Sequence, residues 1–262
     1  MRAYWGASHT GRNPNPFTGF DPHDDLALKE MRQDNCYSGP FPIVNTTLNA
    51  VSGKDLAWQE RKAESFVTTP LRCGFDVWLE QMDLKKGSAM GRPKSIEMYR
   101  HRPTENFLYE NGGPRVGAAV SIIGRGSSPN MGYHSLPSLA FLMTFFNVRL
   151  GYWAGNPRNK NTWTKPGPMV GLLRLLAELF GQTDDEARYV YLSDGGHFEN
   201  LGVYELVKRR CKFIIACDAG ADGNYALGDL GSAVRKCRED MGIEITLSTP
   251  NLKPDKDTNL TK

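Results

Sequence analysis

The feature that most constrains the fold is "YVYLSDGGHFENLGVYELVKRRCKFIIACDAG", residues 189–220. It ends an apolar run in an acid and two glycines and then starts an amphipathic run. Tyr189, Val190, Tyr191 and Leu192 combine aromatic and β-branched residues in a brief stretch closed by glycines, the pattern of a short buried strand. Leu201, Val203, Leu206 and Val207 then recur near helical spacing, with Glu205, Lys208, Arg209 and Arg210 on the other side and Asn200 at the N-cap position. Phe213 to Ala216 form a second apolar run, closed by Asp218-Ala219-Gly220. A strand–helix–strand unit of this kind implies parallel pairing. Asp194 then stands at the carboxyl end of its strand, where open α/β sheets bind ligands.

Along the rest of the chain, "FPIVNTTLNAV" and "ESFVTTP" read as strands, separated by the polar stretch "SGKDLAWQERKA". Residues 83–114 carry little periodicity and read as a surface excursion, with "SIEMYR" as a helical turn. "VGAAVSIIG" reads as a buried strand entering the small-residue turn "RGSSPNMGYHS". A helix over 136–150, a Gly/Asn/Pro-rich linker and a helix in "MVGLLRLLAELF" follow. The amphipathic "GDLGSAVRKCREDMG" leads to an edge strand "IEITLST". This order of elements, without internal repeats, predicts an α/β chain built as a three-layer α/β/α sandwich over 21–250, between a disordered lead-in at 1–20 and a polar tail at 251–262.

The 262 residues are ample for a core without staples, and a net charge of +3 with no basic, aromatic-interleaved helix argues against nucleic acid. Five cysteines without CxxC spacing read as thiols of a reducing compartment rather than disulfides or zinc ligands. The opening residues have no signal-peptide core. The longest apolar block, Leu136 to Val148, is shorter than the roughly 18 residues a membrane helix needs and reads as a buried helix. A location in the cytoplasm or at the cytoplasmic face of a membrane is expected.

"SDGGHFENLGVYELVKRRC", followed by "DAG" and "DLGSAVRKCREDMGI", resembles the C-terminal half of patatin-like phospholipases, lipid acyl hydrolases related to the cytosolic phospholipase group. "NTTLNAVSGKDLAWQERKAESFVTTPLRCGF" and "SSPNMGYHSLPSLAFLMTFFNVRLGYWAGNPR" resemble the large membrane-associated members of that group, so the likeness runs from about Asp21 to Thr249. The resemblance implies a patatin-like sandwich, incomplete on its N-terminal side, that hydrolyses carboxylic esters of phospholipid or another acyl lipid without a cofactor or metal. In such enzymes a serine on a G-x-S-x-G elbow attacks the ester and the aspartate of a D-G-[GA] element takes its proton. Asp194 matches that aspartate; Gly195 and Gly196 would turn the backbone beside it through positive φ.

No G-x-S-x-G occurs in the chain. "GSAMG" has its serine one position early, and "GRGSSPNMG", with Ser127 and Ser128, has the wrong glycine spacing. The resemblance therefore assigns the nucleophile to a part not matched here, and the alternative is an inactive module that binds lipid or a protein partner. Taken without the resemblance, Asp194 reads equally well as a strand-end aspartate capping its turn. His197 reads as a hydrogen-bonding loop residue rather than half of a Ser–His pair or a metal ligand. Asn200 reads as an N-cap rather than a substrate contact, and Asp218 and Asp222 as strand-end acids. The "SSPNMGYH" turn fits a plain turn or an acyl-chain approach equally.

Overall fold

The computed structural model describes residues 13–19, 21, 25–32, 37–51, 62–75, 101–108, 113–123, 151–169, 177, 180–220 and 226–248. They fall in two compact units, Met1–Phe198 and Glu199–Lys262.

The first unit is organised by one sheet of six strands: β1 (Val44–Asn49), β2 (Ala63–Thr68), β3 (Arg72–Phe75), β4 (His101–Pro103), β5 (Tyr152–Gly155) and β6 (Tyr189–Asp194). Their spatial order is β4-β3-β2-β1-β6-β5, and every pair is antiparallel. Mixed helix and strand content follows the expected class. The expected parallel pairing of β6 with Phe213–Ala216 does not form. Both edges of β6 are taken, by β1 and by β5, and residues 211–219 carry no strand.

The register gives the sheet two chemically different faces. Side chains alternate along a strand, and Leu48 pairs with Leu192, Thr46 with Phe66, and Phe66 with Phe75. One face is thus apolar: Leu48, Phe66, Phe75, Ala154, Val190 and Leu192 form a single buried cluster with Phe107. Phe66 is fully buried, its ring 6.1 Å from Phe75 and 6.0 Å from Phe107, and such burial stabilises by about 1.5–3 kcal/mol per side chain. The other face is mixed: beside a buried aromatic cluster of Trp153, Tyr189 and Tyr191 it carries Thr47, Asn49 and Ser193, all fully buried and hydrogen-bonded.

"VGAAVSIIG" is not a strand. Val116–Ile123 is a helix, α1, packed against β1 and β6. Asp25 decides this: its Oδ1 accepts the Gly117 N–H at 2.7 Å and its Oδ2 pairs with Arg115 Nε at 3.1 Å, which satisfies the first turn with a carboxylate. The excursion expected over 83–114 also differs where it is described. His101–Pro103 forms edge strand β4, and Phe107 is buried in the core. Part of the expected linker after residue 150 is β5, whose chain continuation is tied to the approach of β6. There Asn156 Nδ2 donates to the carbonyls of Asp185 and Ala187 at 2.8 and 2.6 Å, and Arg158 pairs with Asp185 at 2.6 Å. The helix expected over 136–150, most of "MVGLLRLLAELF", the stretch 52–61 and the "SIEMYR" turn lie outside the described residues, as do Ser127, Ser128, Asp222, most of the lead-in and the polar tail.

The second unit holds α2 (Val203–Lys208) and α3 (Gly228–Met241), packed on each other. Ala233, Lys236, Cys237 and Met241 make the buried stripe of α3 at helical spacing. Gly242, at φ +64, ends the helix; its N–H reaches the Arg238 carbonyl. "IEITLST" is not an edge strand: residues 243–248 are irregular and pair with no strand among the described residues.

Candidate functional site

Asp194 closes β6 with its Cα opposite Thr46 of β1. Its Oδ1 accepts the Gly196 N–H at 2.8 Å, capping the 3-10 turn Gly195–His197, and its Oδ2 has no hydrogen-bond partner among the described residues. The carboxylate is half-buried. A strand-end acid thus starts its own turn and keeps one oxygen available, which meets the first requirement for a general base.

The glycines act otherwise than the sequence suggests. Neither Gly195 nor Gly196 has a positive φ. Gly195 is needed for space: a Cβ there would lie 2.6 Å from the Asn45 carbonyl oxygen, so the backbone of the turn passes directly against β1. Thr47 reinforces that approach by donating its hydroxyl to the Gly195 carbonyl at 3.3 Å, and the Phe198 N–H reaches the same carbonyl at 3.0 Å.

On the apolar face of the sheet lies a cavity of about 290 Å³, which β6 lines through Leu192. Val44, Thr46, Phe66, Ala119, Tyr152 and Leu192 are among its walls. Thr46 adds little polarity, since its hydroxyl donates to the Phe66 carbonyl at 3.0 Å. By strand alternation Asp194 stands on this same face, two residues along β6 from Leu192 and directly across from the cavity residue Thr46. Sequence reading missed the cavity because Phe107, Leu108 and Pro114, from the segment read as a surface excursion, and Ala118, Ala119 and Tyr152, from α1 and β5, line it, and all six were assigned to other structures.

On the opposite face, Ser193 Oγ lies 2.9 Å from His197 Nδ1 and 2.8 Å from Asn49 Nδ2. Ser193 is fully buried, so this Ser–His pair offers no accessible nucleophile. Asn200 belongs to the second unit and does not cap α2: the N-cap is Gly202, and the Glu199 carboxylate accepts the N–H groups of Leu201 and Tyr204, the latter at 3.0 Å. The longer Glu199 side chain reaches back over the turn, while the Asn200 amide donates to Asp229 at 2.8 Å. Asp218 accepts the Gly220 N–H at 2.8 Å and shapes its own turn.

Burial pushes the Cys73 thiol up to about 12, only partly opposed by hydrogen bonds from Thr104, Thr68 and Thr69, and pushes Cys237 to about 11 with help from Glu199 and Asp240. Both are inert packing thiols rather than nucleophiles. No group of His, Cys, Asp and Glu suited to hold a metal occurs among the described residues, and no helix among them is long and apolar enough to cross a membrane. Comparison with known proteins finds no matching family, no matching curated protein and no matching solved structure.

Proposed function

We propose that the chain is part of a lipid acyl hydrolase of phospholipase or lysophospholipase type, in which Asp194 is the base of a Ser–Asp dyad and the serine comes from outside these residues. One observation carries the reading: a strand-end carboxylate with an available oxygen shares a sheet face with an apolar cavity of about 290 Å³. A carboxylate on the same sheet face as an apolar cleft suits an ester whose acyl chain needs burial while its carbonyl meets a nucleophile. The patatin-like three-layer sandwich belongs to this proposal, with the sheet and α1 as two of its layers. Phospholipid or another acyl-ester lipid is the substrate, presented from a membrane surface on the cytoplasmic side, and no cofactor takes part.

The test is Asp194→Asn in the form of the protein that carries the serine. Hydrolysis of a lysophospholipid falls by about 10²–10⁴-fold, the usual loss when a general base is removed. Near-normal turnover overturns the assignment.

A second reading, an inactive module that binds lipid or a protein, is favoured by the apolar run after α2, where Phe213 is 81% and Ile215 74% exposed. It predicts that the chain alone binds phospholipid vesicles, that a fluorophosphonate probe labels no serine in it, and that no longer serine-bearing form hydrolyses ester.

A further inference from the structure

The structure assigns His197 a positioning role: through Ser193 and Asn49 it clamps the turn that aims Asp194. The inference rests on the reading of Asp194 as the base. The Ser193–His197 contact spans Asp194, Gly195 and Gly196, closing the turn from behind, on the face away from the cavity. Ser193 is in turn held by Asn49, two residues along β1 from the Thr47 hydroxyl that grips Gly195. The turn is therefore fixed at three points: Ser193 by Asn49, Gly195 by Thr47, and His197 by Ser193.

The direction of these bonds follows from donor chemistry. Asn49 Nδ2 meets Ser193 Oγ and, at 3.5 Å each, the carbonyls of Thr47 and Tyr191. The two carbonyls can only accept, so this amide atom is the nitrogen and it donates to Ser193. The Ser193 hydroxyl thus receives from Asn49, and His197 Nδ1 is its one acceptor among the described residues. A fully buried hydroxyl uses its proton. His197 Nδ1 therefore accepts, and the imidazole carries its proton on Nε2. The clamp needs an acceptor at the Nδ1 position and no imidazole charge, which an asparagine oxygen also supplies.

The experiment is NMR on the intact chain, labelled with ¹⁵N at histidine and glycine. The His197 spectrum shows the Nε2–H tautomer, and Ser193→Ala abolishes that preference. Exchange of the Gly196 amide with water rises about five-fold in His197→Ala, as for loss of one hydrogen bond, and returns to the wild-type rate in His197→Asn. The double variant Ser193→Ala/His197→Ala is no faster than either single variant, because both break one clamp. In the serine-bearing form, His197→Ala lowers kcat with KM held and His197→Asn restores it. A wild-type Nδ1–H tautomer, or a Gly196 amide indifferent to His197→Ala, overturns the inference. These spectra need no turnover, so a neutral Asp194→Asn would sink the hydrolase reading while leaving the clamp measured.

Discussion

Gly195→Ala tests the claim that this glycine is there for space. The added Cβ would lie 2.6 Å from the Asn45 carbonyl oxygen, and ordinary contact begins at 3.4 Å, so turn and strand must part by roughly 0.8 Å. The opposing atom is backbone in β1, which is paired on both edges, to β2 and β6, and has no rotamer with which to yield. Overpacking of this kind costs about 1–3 kcal/mol. For a body of this size about 2 kcal/mol lowers the melting temperature by roughly 4–8 °C. Urea and thermal unfolding followed by circular dichroism measure it, with the loss in the midpoint rather than the slope. An unchanged midpoint would mean that the turn does not press on β1, and the account of Gly195 would be wrong.

In α3, Gly231→Ala meets nothing within 4 Å and stabilises by about 0.5–1 kcal/mol, read as a raised urea midpoint. Glu199→Ala removes the acceptor of the Tyr204 N–H in α2 and of the Leu201 N–H in the turn before it, and costs about 1–2 kcal/mol, whereas Asn200→Ala shifts the same unfolding midpoint by less than about 0.5 kcal/mol; equal losses would restore Asn200 as the cap. Cys73 gives a pH dependence. Its thiol is raised from 9.0 to about 12 in the folded state, so the folded chain holds the proton more tightly. That stability is fully present below pH 9 and is lost as pH climbs toward 12, by about 1.4 kcal/mol per pH unit. Between pH 9 and 10.5 the wild type therefore loses stability more steeply than Cys73→Ala, and parallel curves would refute the burial argument.

Strands β1, β2 and β6 and helix α3 were legible because each states its period within its own residues: β-branched or aromatic runs for the strands, and Ala233, Lys236, Cys237 and Met241 for the helix. β3, β4 and β5 were not, since three or four residues are too few to show alternation, and the pairings of β4 and β5 join segments some thirty or more residues apart. Val116–Ile123 reads as a strand by composition and is a helix because Asp25, some ninety residues earlier, satisfies its first turn. At the site, the sequence points to Asp194 and the turn, because an acid and glycines at a strand end form a local pattern. It leaves out Asn49, Thr47 and the cavity, all supplied from elsewhere, and it places the N-cap of α2 at Asn200, whereas the cap is Gly202 and the first-turn acceptor is the Glu199 carboxylate.

The pairing of β1 with β6 has a consequence for how the chain acquires its carboxylate. Thr46 and Asp194 are joined across 148 positions, as are Thr47 and Gly195, whereas β1 and β2 need only a short connection. Closing a loop of that length costs on the order of 4 kcal/mol in chain entropy before any contact repays it, so such ladders close late and slowly. The β1–β2 hairpin waits as a template. A ribosome must release residue 194 before the aspartate has an address at all, and until then β1 offers one open edge to any other strand in the cell.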